Sequence, residues 1–214
     1  MSIRMLTGLV VASVGAVASA DVSSTFDSDA EGWGILNDAT PLAWEAATGN
    51  PGGAISASDL RQGPIWYFAA SGDYLGDRSL SFGQELSWDI RGVVGSQTSV
   101  TNRADVILSG GGMTIGLDAD VLPQLGAWTS WSATLGGAGW RSVNISSGAL
   151  SGGDVSQSDI ANVLSNLTAL YIRGEYTNGS DASRLDNVLL RAVPTPGAAL
   201  VLGVAGIAGT RRRR

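Results

Sequence analysis

Glu85-Leu86-Ser87-Trp88-Asp89-Ile90-Arg91 decides the fold class. Leu86, Trp88 and Ile90 take every second position, and polar or charged residues fill the places between. Side chains of a strand alternate between faces, so this pattern puts one face in a core and the other in water. Working outward, the same period recurs in Ala104, Val106 and Leu108, in Met113, Ile115 and Leu117, and in Thr129, Trp131, Ala133 and Leu135. Leu170 and Ile172 alternate with Tyr171, Arg173 and Glu175, and Val188 and Leu190 close the pattern. Glycine-rich turns at 52–53, 110–112, 136–137 and 152–153 separate the runs. Many short strands with such punctuation predict an all-β jelly-roll β-sandwich. One short helix is expected after Ser156: Asp159 stands at the capping-box position, and Ile160, Val163, Leu164 and Leu167 follow at helical spacing.

Composition narrows the chemistry. The 214 residues include no Cys, His or Lys. Histidine general bases, thiol nucleophiles, disulfides and thiolate zinc sites are thereby excluded. The formal charge is −6, and residues 21–192 alone hold all 19 acids against eight arginines, a charge of −11. A surface so acidic repels a nucleic-acid backbone, so no nucleic-acid partner is expected. What remains is oxygen-ligand metal chemistry, contact with carbohydrate through aromatic rings, or a structural role.

The two ends carry addresses. Arg4, the apolar stretch from Met5 to Val17 and Ala18-Ser19-Ala20 have the grammar of a secretory signal, so residues 1–20 are expected to be removed. At the other end Val193-Pro194-Thr195-Pro196-Gly197 precedes an apolar run from Ala198 to Gly209 and then Arg211 to Arg214. This ending resembles the PEP-CTERM class of bacterial sorting signals, with Val-Pro-Thr-Pro in place of the strict Pro-Glu-Pro. The resemblance implies a processing protease of exosortase type and a bacterial envelope. The apolar run is a candidate transmembrane helix and the expected membrane contact. Residues 21–192 between these ends are expected to form one domain.

Within that domain the order of motifs resembles the laminin domain IV type A (laminin B) family. Phe26-Asp27 with Glu31-Gly32-Trp33 is similar to its opening. Gly49-Asn50-Pro51-Gly52-Gly53 leads into Ile55-Ser56-Ala57-Ser58-Asp59, and Ile65 to Ala70 leads into Tyr74-Leu75-Gly76-Asp77. Ser81 to Leu86, Asp105 to Leu108, Trp140, Leu164 to Tyr176 and Leu185 to Leu190 continue the series. The resemblance implies a galactose-binding-like jelly roll, a fold shared with carbohydrate-binding modules, and no enzyme.

Candidate sites follow from both readings. Asp27, Asp29 and Glu31 alternate before Gly32, with Asp38 further on, a loose imitation of an EF-hand loop that lacks the flanking helix. Related jelly rolls imply a structural calcium where the first and last strands meet, and Asp27, Asp59 and Asp186 are its expected carboxylates. Trp33, Trp44, Trp88 and Trp131 are expected in the core. Trp66 and Tyr67 are adjacent, so one would face outward, and Trp128 and Trp140 flank glycine-rich stretches. These four are the expected ligand-binding aromatics, suited to stacking on sugar rings. Nothing marks a pair of carboxylates for glycoside hydrolysis, and Glu175 is expected to be a strand-face residue paired with Arg173 or Arg184. The expected function is a secreted or envelope-attached, non-catalytic interaction module of matrix or adhesion type. Its expected partners are an extracellular polysaccharide or a matrix protein. The alternatives are an inert envelope or biofilm protein and a glycan-active hydrolase.

Overall fold

The computed structural model describes residues 21–61, 63–95, 102–177 and 179–193. The expected signal segment and the tail beyond Val193 lie outside the described residues. Ala20–Val193 form one compact unit. Among the described residues no helix is long and apolar enough to cross a membrane.

In chain order the first strands are β1 (Val22–Ser24), β2 (Gly34–Leu36), β3 (Ala43–Glu45), β4 (Ala54–Ser58) and β5 (Tyr67–Ala69). β6 (Glu85–Val94), β7 (Val106–Gly110), β8 (Met113–Leu117) and β9 (Thr129–Thr134) follow. The chain ends with β10 (Arg141–Val143), β11 (Leu150–Ser151), helix α1 (Gln157–Ser165), β12 (Leu167–Arg173) and β13 (Ala182–Leu190). They build a jelly-roll sandwich of two antiparallel sheets. The first has the order β3-β4-β13-β6-β9, with β1 also on β13; the second runs β11-β10-β8-β7-β12-β5-β2.

The period-2 pattern locates the core. Leu86, Trp88, Ile90, Ala133, Val188 and Leu190 of the first sheet meet Val106, Leu108, Ile115, Leu170 and Ile172 of the second, all buried. Some polar atoms of the large rings find partners, while the Trp66 and Trp88 indole N–H groups and the Tyr176 hydroxyl are buried without one among the described residues. Trp33 donates to Ser24 Oγ (3.0 Å) and packs edge-on between Phe26 and Tyr74, whose hydroxyl donates to the Val188 carbonyl (3.0 Å). Helix α1 begins as expected. Ser156 Oγ accepts from the Asp159 backbone N–H, and the Asp159 carboxylate accepts from that of Ser156. Ile160, Val163 and Leu164 face inward, while Leu167 already belongs to β12.

Strict alternation fails on the second sheet, and this corrects three of the four expected ligand aromatics. Its outer face is covered in one place by a small second core of Tyr67, Ala104, Ile107 and Leu150. Trp66 and Tyr67 are therefore both buried, one on each side: Trp66 packs edge-on against Phe68, and Tyr67 donates to the Ala104 carbonyl (3.0 Å). Trp140 is buried in the main core with its Nε1 donating to the Thr134 carbonyl (3.0 Å). No ring face of these three is open to a ligand. Trp128 remains half-buried. Trp44 departs from expectation the other way. It sits on the edge strand β3, 39% exposed, and its Nε1 donates to the Phe26 carbonyl (2.7 Å).

Gly174 lies directly on the Trp66 ring, and a Cβ there would overlap it. The Gly174 N–H also donates to the Trp66 carbonyl (3.1 Å), so the two segments cannot part without losing that bond. Gly174→Ala is expected to destabilise the fold by about 1–3 kcal/mol, the usual cost of overpacking a filled core. Urea unfolding of the full chain checks it; an unchanged midpoint would show that the ring can move aside.

Candidate functional site

Strand β13 is paired along one edge by β6 and along the other by two separate strands. β1 takes Val188 to Leu190, and β4 takes Ala182 to Leu185. Asp186 and Asn187 lie in the gap. Opposite them the β6 register shifts, with three steps from Asp186 to Leu189 against two from Asp89 to Ser87, and Asn187 has φ of 49°. This is a β-bulge, which re-aims side chains and is common beside sites.

The loop 49–53 fills the gap. Asp186 Oδ2 accepts from the Asn50 N–H (2.5 Å), and its Oδ1 accepts from the Asn187 N–H (2.7 Å). The Asn187 amide donates to the Asn50 carbonyl (2.7 Å) and to Asp89 Oδ2 (2.8 Å), and the Asn50 amide donates to the same Asp89 oxygen (3.1 Å). The Asn50–Pro51 peptide bond is cis. A Cβ at Gly52 would collide with the Asp27 carboxylate, so only glycine lets this loop pass. Asp27 reaches that position because Phe26 takes φ of 52°, rare for a bulky residue. Its backbone is held from both sides: Glu31 accepts from the Phe26 N–H (2.7 Å), and Trp44 takes the carbonyl.

Asp186 is fully buried. Burial pushes its carboxyl up to about 6; the N–H groups of Asn50 and Asn187 oppose the shift, and the charges of Asp89 and Asp27 add to it. Asp27 and Asp186 both border the 49–53 loop, Asp27 against Gly52 and Asp186 against Asn50. Asp59 is not brought to them. It follows the far end of β4, where its N–H donates to the Asp181 carbonyl and its carboxylate accepts from the Arg61 N–H. Both Asp186 oxygens are already taken by N–H donors. Among the described residues no group of three or more acidic side chains could hold a metal ion. The EF-hand-like carboxylates serve their own turn, with Asp29 accepting from the Glu31 N–H (2.6 Å). The Glu175 carboxylate accepts from the Trp66 N–H (3.2 Å), Arg184 bonds Glu45 (2.7 Å), and Arg173 donates to the Glu175 carbonyl.

Beside this cluster the outer face of the first sheet holds a hollow of about 390 Å³. Ser23, Ser87, Asp89, Ser130, Trp131 and Asn187 are among its walls. Ser23 and Ser130 are exposed and Trp131 is half-buried. The floor is rigid because Asp89 is fixed by two amide donors, and the walls offer serine hydroxyls, while the Trp131 ring lies on the Trp88 face of the sheet and packs against the core. Asp89, Asn50 and Asn187 escaped the sequence reading. The signal was the spacing Leu185-Asp186-Asn187-Val188, in which two apolar positions stand three apart and alternation slips by one.

The fold is thus a jelly roll that carries a polar hollow on the outer face of its first sheet. Residues 67–201 match the family described as Laminin B (Domain IV), and the chain belongs to that family. Human laminin subunit gamma-2 is 32% identical over 187 residues, covering 83% of this chain and 14% of that protein, so this chain spans a small part of its relative's length. Two solved structures share the fold. The L4b domain of human laminin alpha-2 has a TM-score of 0.52 at 18% identity over 60% of this chain and 70% of that one. An exo-beta-agarase has a TM-score of 0.54 at 15% identity over 83% of this chain and 26% of that one.

An unfolded aspartate titrates near 3.9. Asp186 binds its proton more tightly when folded, so its contribution to stability is full below about pH 4 and is lost as pH rises through about 6. Unfolding free energies at pH 4 and pH 7 should therefore differ less in Asp186→Asn than in the unaltered chain, by about 1–3 kcal/mol. Equal pH slopes in the two would sink this account of the buried carboxylate.

Proposed function

We propose that this protein is an extracellular, non-catalytic interaction module that binds hydroxyl-rich glycans in the hollow on its first sheet. The observation that carries the reading is the convergence of Ser23, Ser87, Ser130 and the fixed Asp89 in one hollow. A carboxylate accepts from sugar hydroxyls, and serine hydroxyls both accept from them and donate to them. Binding requires no movement of the floor, so little entropy is lost in ordering it. Kinship with laminin domain IV and the fold shared with the laminin L4b domain support an extracellular recognition role. The sequence grammar of the two ends supports delivery to a bacterial envelope or matrix, with a sorting protease of exosortase type and a matrix protein as further partners. The reading does not call on calcium; melting the chain with calcium and with excess chelator tests that separately.

Affinity electrophoresis of the full chain through gels holding neutral polysaccharides tests the hollow. At least one polysaccharide should retard it. Ser130→Arg, a change at an exposed position that fills the hollow, should weaken retardation by about tenfold or more, the equivalent of one lost good contact. Unretarded migration in every gel would overturn the glycan reading in favour of an inert structural protein.

A further inference from the structure

A second hollow, of about 360 Å³, opens on the other sheet and shares no residue with the first. Its walls are Gly63, Pro64 and Ile65 ahead of β5, Arg103 ahead of β7, Ser146 and Ser147 between β10 and β11, and Glu175 after β12. Its volume falls within the range of small-ligand pockets, about 300–1,000 Å³.

Arg103 is the informative residue. It is half-buried, and it makes no ion pair among the described residues. Five of the eight arginines of residues 21–192 make no ion pair among the described residues, so what sets Arg103 apart is its place as the cation among the residues that line this hollow. Arg61 is paired with Asp38 and Arg173 with Asp105. Arg173 also lies over the Tyr176 ring at 4.8 Å. Neither lines the hollow, and Arg103 is the cation on its wall.

The other walls say what accompanies an anion. Ser146 and Ser147 carry hydroxyls, Pro64 and Ile65 give an apolar surface, and the Glu175 carboxylate is fixed by the Trp66 N–H (3.2 Å). Burial holds that carboxyl up near 7, with Asp59 and Asp181 adding to the shift and the Trp66 N–H and Arg173 opposing it, so Glu175 repels an incoming anion weakly in mildly acidic surroundings. We propose that this hollow binds a uronate unit of an acidic polysaccharide, its carboxylate on the Arg103 guanidinium and its ring hydroxyls on Ser146, Ser147 and Glu175. A guanidinium matches a carboxylate with two parallel hydrogen bonds, which a neutral sugar cannot use.

Isothermal titration of the full chain with a short oligogalacturonate, and with the same oligomer methyl-esterified, tests this. The acid form should bind, and the ester should bind at least about tenfold more weakly, as expected on losing a charge-assisted pair. Arg103→Gln should lose the acid form by a similar factor and Arg103→Lys should lose less, while Ser130→Arg in the first hollow leaves uronate binding unchanged. That last variant separates failure of this proposal from failure of the neutral-glycan reading. If Arg103→Gln does not fold, Ser147→Glu, which adds negative charge from a loop, should weaken the acid form equally. Equal affinity for acid and ester, unchanged binding by Arg103→Gln or Ser147→Glu, loss of binding by Ser130→Arg, or no heat with either oligomer would each overturn the proposal.

Discussion

A buried carboxylate makes the first sheet possible. Strand β13 has β1 and β4 end to end along one edge, and the ladder between them is interrupted at Asp186 and Asn187. Backbone N–H groups left bare in that break would cost free energy comparable to lost hydrogen bonds. Asp186 supplies the acceptors instead, one oxygen for its own strand and one for the inserted loop. Nearly everything at this end follows from it. The loop must be glycine-rich to pass Asp27, Phe26 must adopt a rare backbone angle to set Asp27 there, and Asn187 must bulge. The amides of Asn50 and Asn187 then converge on Asp89 and fix the floor of the first hollow.

The second sheet solves a different problem. Its outer face is partly roofed by the chain around Ile145 and Leu150, so aromatic and aliphatic side chains are buried on both sides of β5 and β7. Two covered faces hold the strands rigidly, and the buried Arg173–Asp105 pair sits at their end. Burial pushes the Asp105 carboxyl up to about 7, against the pull of Arg173 and of the Ala119 and Val121 N–H groups. Such a pair is weak evidence for net stability, but it fixes the segment from Arg173 to Tyr176, which forms one wall of the second hollow.

Much of the fold was legible in the sequence because its information is local. Leu86, Trp88 and Ile90 face inward in the register that their alternation dictates, and Ser156 and Asp159 form the helix cap that their spacing dictates. The site was less legible because its information is not local. Asn50 and Asp186 lie 136 residues apart, and no pattern in either segment announces their bond. Trp66, Tyr67 and Trp140 looked like candidates for exposure because alternation assumes one wet face per sheet. A roofed sheet has none at that place, and a flat ring is as useful for filling a core as for stacking on a sugar. Asp59 was grouped with Asp27 and Asp186 by proximity to strand ends, but β4 carries it to the opposite end from the loop that joins the other two.

The strands at the borders of the sandwich are short. β1, β2 and β3 have three residues each and β11 has two, whereas β9, also a border, has six and shows Ser130, Ser132 and Thr134 to solvent. A border of two or three residues offers too few free backbone groups to template a foreign strand. Pairing of neighbouring copies through those borders is thereby discouraged, and β9, at six residues, is left as the long free edge on which sheet could add to sheet.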